Sequence, residues 1–171
     1  MWLRLLPLAG AISSVDQLTY RRVSRFLLRR GGVHIDGLPL WISPRTFLDV
    51  SGPGSITIGD RTVISHYVRI LTHDFSLDRV AERLGNSPGE GMELYRAANV
   101  HIGSHVFLGL GVTVMPGVRI GDGAVVAANA LVTRNVDSDS VVAGAPARFV
   151  STTSAYFDKN RSRFSVRSRR R

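Results

Sequence analysis

The chain has 171 residues, a formal net charge of +9 at pH 7 and no cysteine. This length is sufficient for one domain with a buried core. The absence of cysteine excludes a disulfide framework and a thiolate metal site, and it is typical of a cytoplasmic protein. The longest apolar runs are far shorter than the roughly 20 residues that span a bilayer.

The positive charge is concentrated at the two ends of the chain. Residues 1–32 carry six arginines and one aspartate, and residues 159–171 carry one lysine and six arginines. Residues 33–158 carry nine arginines against twelve acidic residues. The basicity of the protein therefore says nothing about the chemistry of its central part.

Residues 1–32 are predicted to form an N-terminal helical cap. The stretch 13–30 has the pattern of an amphipathic helix, and the glycines at 31 and 32 follow it as a stop signal. Such a helix can cover the open end of a repeat structure, or it can contact anionic lipid at the inner face of a membrane. Its predicted apolar side consists of Val15, Leu18, Val23, Phe26 and Leu27, and its basic side of Arg21, Arg22, Arg25 and Arg29.

The next part of the chain, residues 54–148, has an apolar period of six. A helix would show a period of 3.6 and an ordinary strand simple alternation, so a period of six with small residues after the aliphatic ones predicts short strands stacked into a solenoid. The main series is Ile58, Ile64, Ile70, Ile102, Leu108, Val114, Ile120, Val126 and Val132. A second series, two places earlier, is Ile56, Val68, Val100, Val106, Val112, Val118, Ala124 and Ala130, interrupted by Thr62.

The repeat is interrupted in the stretch VRILTHDFSLD. The aliphatic run ends at Thr72-His73-Asp74 and resumes at Asn99-Val100, so residues 73–99 form an insertion. It contains the loop signals Gly85, Asn86, Pro88, Gly89 and Gly91. Within it, Ser76 is a candidate cap for a short helix with apolar residues at 77, 80 and 84. From the residues alone, His73 is either the polar start of a surface loop or an imidazole placed there for chemistry.

The stretch 99–150, NVHIGSHVFLGLGVTVMPGVRIGDGAVVAANALVTRNVDSDSVVAGAPARFV, resembles the hexapeptide-repeat acyltransferases. The galactoside, maltose and polysaccharide O-acetyltransferases of that family are the most similar, and the closing GAPAR is the most specific piece. The resemblance implies an all-β fold, a left-handed parallel β-helix over residues 33–150 with the loop insertion 73–99. It also implies a homotrimer that transfers an acetyl group from acetyl-CoA to a sugar hydroxyl of a glycan, a polysaccharide or a precursor.

His73 is the catalytic residue that the resemblance implies, because the family's catalytic histidine begins a loop at this point. A neutral imidazole can accept the proton of a sugar hydroxyl as it attacks a thioester, which typically contributes about 10²–10⁴-fold, and no covalent enzyme intermediate is needed. The residue that orients His73 is left open between Asp74, its neighbour, and Asp49, in the preceding irregular coil.

By the same resemblance, the acetyl-CoA contacts fall on Leu110, Ala128, Thr133 and Arg148, and Arg134 is a second candidate for the phosphates. Small residues let an extended pantetheine arm approach the backbone, and arginine suits the phosphates. Close relatives carry serine where Leu110 stands, so only a backbone contact is expected there.

Residues 151–171 are predicted to be a C-terminal segment ending in a disordered basic tail, RSRFSVRSRRR. A basic tail can attract nucleic acid or a membrane surface electrostatically. No motif that reads nucleic acid accompanies it, so we expect no nucleic-acid partner. The expected location is the cytoplasm, with the inner face of the membrane as a peripheral site.

Two alternatives belong to the same fold. A non-catalytic hexapeptide scaffold would have the repeat without the chemistry. A γ-class carbonic anhydrase would bind zinc through three histidines, and His66, His101 and His105 roughly match that spacing. The insertion takes up most of the gap between His66 and His101, so whole coils do not separate them, and no metal site is predicted.

Overall fold

Successive short strands enter three sheets in turn, so the chain winds around a three-sided β-helix. The computed structural model describes residues 2–14 and 16–167. Sheet 1 contains β1 (His34–Ile35), β4 (Ile56–Ile58), β9 (Val100–Ile102) and β12 (Arg119–Ile120). Sheet 2 contains β2 (Trp41–Ile42), β5 (Val63–Ile64), β10 (Phe107–Leu108), β13 (Val125–Val126), β15 (Ser140–Ala143) and β16 (Arg148–Thr152). Sheet 3 contains β3 (Phe47–Leu48), β6 (Arg69–Ile70), β11 (Thr113–Val114) and β14 (Leu131–Val132).

Strands of neighbouring coils pair in parallel and in register. Leu108 pairs with Val126 and Val114 with Val132, in each case 18 residues further along the chain, which is three strands of six residues. The first coil is longer: Trp41 pairs with Val63, 22 residues on. The predicted β-helix is confirmed, including its irregular first coil.

The two six-residue series form the core. Every member of both series is buried, and each large aliphatic side chain contributes roughly 1.5–3 kcal/mol by leaving water. Thr62, the polar exception, is also buried. Its hydroxyl donates to the Gly103 carbonyl at 2.8 Å and accepts from the Val106 N–H at 3.2 Å, so the interruption costs no unpaired polar group.

The corners between sheets have a periodicity that the sequence analysis did not use. Left-handed backbone recurs every six residues at Arg61 and Tyr67, and again at His105, Gly111, Gly117, Gly123 and Asn129. The stacked corners are also close together. A Cβ on Gly109 would lie 2.5 Å from the Ala128 nitrogen, so a larger residue there would force the coils apart.

The N-terminal residues cover the first coil. Helix α1 (Leu6–Ala9) lies between two short 3₁₀ turns, Trp2–Leu5 and Gly10–Ser14, and precedes α2 (Gln17–Arg30). The predicted helix 13–30 thus starts later, because Asp16 caps α2 by accepting the Leu18 N–H at 2.8 Å. Val15, assigned to the apolar side, lies outside the described residues.

The buried side of α2 also differs from the predicted one. Tyr20, Leu27 and Leu28 are buried, whereas Leu18 and Phe26 are 43% and 51% exposed. The Tyr20 hydroxyl donates to the Ile42 carbonyl, and the Arg21 Nε donates to the Pro39 carbonyl at 2.9 Å. These contacts tie the helix to the coil below, so the helix covers the end of the β-helix.

At the other end the chain turns back on itself. Strand β16 pairs antiparallel with β15 and leads into α4 (Thr153–Asn160). The prediction of disorder from residue 161 is wrong at Arg161–Arg163, which form a 3₁₀ turn directly after α4, since an existing helix end readily propagates one more turn. Residues 164–167 have no regular structure, and residues 168–171 lie outside the described part.

Within the described residues, no helix combines the length and the apolarity needed to cross a membrane.

Candidate active site

His73 stands where the chain leaves the β-helix. After β6, the chain departs from the corner between sheets 3 and 1, here called the 3–1 corner, and forms β7 (His73–Asp74). Strand β7 pairs antiparallel with β8 (Arg96–Ala97), and the Ala98 N–H donates to the Thr72 carbonyl at 2.8 Å. This two-stranded ribbon brings the ends of the insertion together, so residues 75–95 leave and return at one place.

A carboxylate from the preceding coil contacts the His73 ring. The Oδ2 atom of Asp49 lies 2.6 Å from Nδ1 of His73, and the two side chains are 14% and 37% exposed. Asp49 follows β3 directly, and its Oδ2 also accepts the Thr72 N–H at 2.9 Å. Because an ionised carboxylate only accepts hydrogen bonds, Nδ1 carries the proton in the neutral ring, and Nε2 then has a free lone pair. The pair therefore has the arrangement of a histidine poised to accept a proton through Nε2.

Of the two carboxylates left open by the sequence, Asp49 makes this contact. Asp74 instead accepts the N–H of Ser76 at 2.8 Å, and this bond is the main cause that lowers the pKa of Asp74. Ser76 is the first residue of α3 (Ser76–Arg83) rather than its cap, because Asp74 already accepts the exposed N–H at the start of the helix.

Two aromatic side chains that the sequence analysis did not single out lie beside His73. The Phe75 ring packs edge-on against the imidazole, with ring centroids 4.9 Å apart, and the Tyr95 ring stacks at 6.0 Å from Phe75. Both rings remain largely exposed, at 40% and 65%. Tyr95 is 22 positions from His73, and only the β7–β8 pairing brings it near, so no local sequence signal could have indicated it.

Leu110 and Ala128, both predicted to contact acetyl-CoA, lie at the corner between sheets 2 and 3, here called the 2–3 corner. The corner residues stack in a column: the Gly111 N–H donates to the His66 carbonyl at 3.0 Å, and the Asn129 N–H to the Leu110 carbonyl at 2.7 Å. Leu110 is 47% exposed and Ala128 is also exposed. An extended ligand could therefore follow this column along stacked backbone groups.

Arg148 extends the same column by one more coil. The turn from Gly144 to Ala147 closes over Leu131. The Leu131 N–H donates to the Gly144 carbonyl at 3.0 Å, and the Leu131 carbonyl accepts the Ala147 N–H at 2.8 Å. Arg148 follows this turn and is exposed, with its Nη1 atom donating to the Ala147 carbonyl at 2.9 Å. Its guanidinium is thus held near the end of the 2–3 corner.

Thr133 and Arg134 lie on a different corner from the other predicted cofactor residues. They follow β14 and belong to the 3–1 corner, because the backbone of β6, β11 and β14 stacks in one sheet. His73 leaves from that same corner. A single chain therefore does not bring all the predicted site residues together: His73, Thr133 and Arg134 share one corner, whereas Leu110, Ala128 and Arg148 share another.

The three histidines of the zinc alternative do not converge. His66 is at the 2–3 corner, His101 is in sheet 1, and His105 occupies a left-handed position at the corner between sheets 1 and 2. Nδ1 of His66 is 2.5 Å from the Ser43 hydroxyl. No group of three residues suited to holding a metal ion occurs in the part of the chain that the structure describes.

Beyond His73, the insertion exposes an apolar surface. The side chains of Leu77, Val80 and Leu84 on α3 are 64%, 50% and 66% exposed, and that of Met92 is 66% exposed. Leu77, Val80 and Leu84 follow the predicted apolar pattern of a helix, yet all three are left exposed by the described chain. We call residues 75–95 with these side chains the loop surface.

Comparison with known proteins shows which proteins the repeat is similar to. A model described as the hexapeptide repeat of succinyl-transferase matches residues 99–134. The putative acetyltransferase YvoF of Bacillus subtilis is 35% identical over 104 residues, which cover 61% of this chain and 52% of YvoF. The putative lipopolysaccharide biosynthesis O-acetyl transferase WbbJ of Escherichia coli is 34% identical over 106 residues, 61% of this chain and 54% of WbbJ. The chain thus spans about half the length of these curated relatives.

A solved structure extends the likeness to nearly the whole chain. The hexapeptide-repeat acetyltransferase VCA0836 of Vibrio cholerae superposes with a TM-score of 0.55 at 25% identity, covering 88% of this chain and 92% of that one. The same protein has been solved in complex with acetyl coenzyme A, with a TM-score of 0.59 at 24% identity and coverage of 88% and 86%. The resemblance to the hexapeptide-repeat acyltransferases is confirmed, and these neighbours imply that the β-helix is left-handed.

Proposed function

We propose that this protein is an acetyl-CoA-dependent O-acetyltransferase that acts on a sugar hydroxyl of a glycan, a polysaccharide or a precursor. The observation that carries the proposal is the 2.6 Å contact between Asp49 and His73 at the point where the chain leaves the repeat. Asp49 holds the proton on Nδ1, so Nε2 takes the proton of the acceptor hydroxyl as its oxygen bonds to the acetyl carbon of the thioester. The C–S bond then breaks, and the thiol leaves with the proton that the imidazolium returns. A histidine without this partner could place its proton on either nitrogen.

Several features of the chain fit acetyl-CoA as the acetyl donor, and VCA0836 has been solved with that compound. The column at the 2–3 corner presents the exposed Leu110 and Ala128 beside closely stacked backbone. Arg134 and Arg148 are exposed, and in the described part of the chain neither forms an ion pair with a carboxylate. Their guanidinium groups are available for phosphate, and the donor itself supplies the acetyl group as a thioester.

A sugar acceptor is supported by the surroundings of His73 and by one relative. The Phe75 ring contacts the imidazole and the Tyr95 ring stacks on Phe75, so both offer exposed ring faces near His73. Aromatic rings of this kind suit a ligand with both apolar and polar faces. The name of WbbJ refers to O-acetyl transfer in lipopolysaccharide biosynthesis. A cytoplasmic location, with precursors reached at the inner face of the membrane, belongs to the same proposal.

The active form is a homotrimer in which each site is shared between two chains. The predicted site residues divide between the 3–1 corner and the 2–3 corner of one β-helix, so one chain cannot surround both substrates. The loop surface exposes leucine, valine and methionine side chains that a neighbouring chain would cover. Head-to-tail contacts of this kind close into a ring.

The activity is tested by incubating the protein with acetyl-CoA and a panel of sugars and measuring the release of free thiol. We expect release with at least one sugar, and a decrease in turnover of about 10²-fold or more in His73→Ala. His34→Ala is the matched control, because His34 also contacts an aspartate, Asp36, at 2.9 Å but lies far out in solvent at 55% exposure. Unchanged turnover in His73→Ala would reject the assignment of His73 as the general base. If no sugar led to thiol release, the non-catalytic scaffold would be favoured instead.

The shared site is tested by mixing two inactive variants. His73→Ala removes the base at the 3–1 corner, and Ala128→Trp blocks the column at the 2–3 corner. In mixed trimers, some interfaces combine the intact corner of each variant, so part of the activity should return. If mixed trimers form and activity does not return, both corners of one site belong to the same chain and the shared-site proposal is wrong.

A further inference from the structure

The outer side of α2 forms an open basic groove. Arg22, Arg25, Phe26, Arg29 and Arg30 line a groove with a volume of about 470 Å³. Arg21 on the same helix serves a different purpose, because its guanidinium donates to the carbonyls of Pro39 and Leu38 at 2.9 and 3.1 Å. The helix therefore uses one arginine to hold the first coil and presents four others to the groove.

Three of the four groove arginines lack a carboxylate partner within the chain as described, whereas Arg22 interacts electrostatically with Asp16. In the described part of the chain, no carboxylate forms an ion pair with Arg25, Arg29 or Arg30. The Nε atom of Arg25 is buried and has no hydrogen-bond partner among the described residues. A buried N–H without an acceptor is costly, so the described residues do not fully satisfy the Arg25 guanidinium.

Aromatic side chains adjoin the groove. The Trp2 and Phe26 rings meet edge to face with centroids 6.1 Å apart, and the Arg30 guanidinium lies 5.8 Å and 5.4 Å from these two rings. Phe26 is half exposed. Arginines interleaved with an exposed aromatic ring are typical of helices that lie in the headgroup region of a membrane.

We infer that this face, formed by Trp2 and the five residues of the groove, binds the surface of a bilayer that contains anionic phospholipid. The guanidinium groups contact lipid phosphates, and the two rings lie at the level of the headgroups. Because α2 covers one end of the β-helix while β16 and α4 form the other, the rest of the protein extends away from the bilayer. In the proposed trimer, three such faces would share one plane and bind with higher avidity.

The inference is tested with the full-length protein and sedimented vesicles. Vesicles of phosphatidylcholine with about one third phosphatidylglycerol are compared with vesicles of phosphatidylcholine alone. We expect binding to the anionic vesicles only, weakening as salt is raised. Arg25→Gln/Arg29→Gln/Arg30→Gln should lower the partition coefficient by about 10²-fold, and Phe26→Ser should lower it by about tenfold while the charge is unchanged.

A matched control removes the same charge from the other end. Lys159→Gln/Arg161→Gln/Arg163→Gln changes exposed residues of α4 and the following turn and should leave vesicle binding unchanged. Circular dichroism verifies folding, and if the groove variant unfolds, Arg29→Gln/Arg30→Gln, both exposed, should still lower binding by about tenfold. Equal losses in the groove and control variants would mean that net charge, not this face, binds lipid, and would overturn the inference.

Competition separates lipid from other phosphates. Inorganic phosphate at millimolar concentration should not displace the protein from vesicles, and a short DNA duplex should bind less tightly than the anionic vesicles. Full displacement by phosphate would make the groove a small-anion site, and tighter binding of the duplex would make it a nucleic-acid surface; either result overturns the inference. Thiol release with a soluble sugar should be unaffected by the groove variant, so this test is independent of the proposed activity.

Discussion

The coils at residues 100–132 and the insertion at 73–99 are adjacent in the chain but differ in where their apolar side chains lie. In the coils, Leu108, Val126 and their equivalents are buried by the coils above and below. In the insertion, Leu77 and Leu84 are 64% and 66% exposed. The comparison shows that the repeat buries its own apolar side chains, whereas the insertion carries the candidate base and leaves its large apolar side chains exposed in the described part of the chain.

The largest difference between the two regions should appear in stability. Leu108→Ala leaves a cavity between stacked coils and should lower the free energy of unfolding by about 2–5 kcal/mol. Leu84→Ala removes the same atoms from a site that is exposed in the single chain, and it should change the free energy of unfolding of the dissociated chain by less than about 0.5 kcal/mol. Urea denaturation with an unchanged m value measures both.

The same pair of variants sharpens the trimer proposal. Repeating the denaturation at two protein concentrations separates folding from assembly. The loss of unfolding free energy in Leu108→Ala should be the same at both concentrations. Any loss in Leu84→Ala should depend on concentration, because it arises from subunit dissociation. Equal losses in both variants, independent of concentration, would mean that the loop surface packs within its own chain.

A second prediction concerns the place where the two regions meet. Asp49→Asn keeps the shape of the side chain but lets the His73 proton move to Nε2, so we expect turnover to fall by about 10–10³-fold with an unchanged KM for acetyl-CoA. Asp36→Asn is the control, since Asp36 contacts His34 in an exposed pair. Asp49→Glu should restore part of the turnover.

A structural role of Asp49 would have another signature. Its Oδ2 also accepts the Thr72 N–H, so a variant that merely loosens this corner would lower thermal stability and raise KM. The pH dependence of kcat distinguishes the two, because a positioning role shifts the lower limb of the profile. An unchanged profile together with a raised KM would assign Asp49 to the corner alone.

The repeat could be predicted from the sequence because its period is local. Ile102, Leu108 and Val114 recur at six residues, and each position is buried for the same reason. The break at His73 was equally visible, since an interrupted period needs no knowledge of distant contacts. The corner positions with left-handed backbone, such as His105 and Asn129, also recur every six residues. Both polar residues and glycine occupy these positions, so no single residue type marks them in the sequence.

The contacts between coils could not be predicted in the same way. Asp49 and Asp74 were equivalent candidates until the strand pairing placed Asp49 against the ring. The position of Asp49 is set by the irregular first coil, in which Trp41 pairs with the residue 22 positions further along the chain. The length of this coil gives no periodic signal in the sequence. The exposed Phe26 was likewise assigned to the buried side of its helix, because the helical pattern does not say which apolar residues the first coil can cover.

The smallest expected effect lies within the insertion. Asp78 is nearly buried at 7% exposure; its Oδ1 accepts the Leu94 N–H at 2.8 Å, and its Oδ2 contacts the Arg79 guanidinium. The hydrogen bond from Arg79 is the main cause that lowers the pKa of Asp78, with the Leu94 N–H second. A lowered pKa means that the ionised form stabilises the folded loop above about pH 4 and that this contribution is lost as the pH falls through the folded-state pKa.

Asp78→Asn keeps an acceptor for Leu94 and loses only the charge. Hydrogen exchange of the Leu94 amide should therefore show a protection factor lower by a factor of about 2–5 at pH 7, and the difference should vanish below the pKa of Asp78, where both side chains are neutral. Glu90→Gln, an exposed charge in the same loop, should have no effect on Leu94. A difference that persisted at low pH would show that the shape of the side chain, rather than its ionisation, holds the loop, and the amides of the coils should remain equally protected in all three proteins.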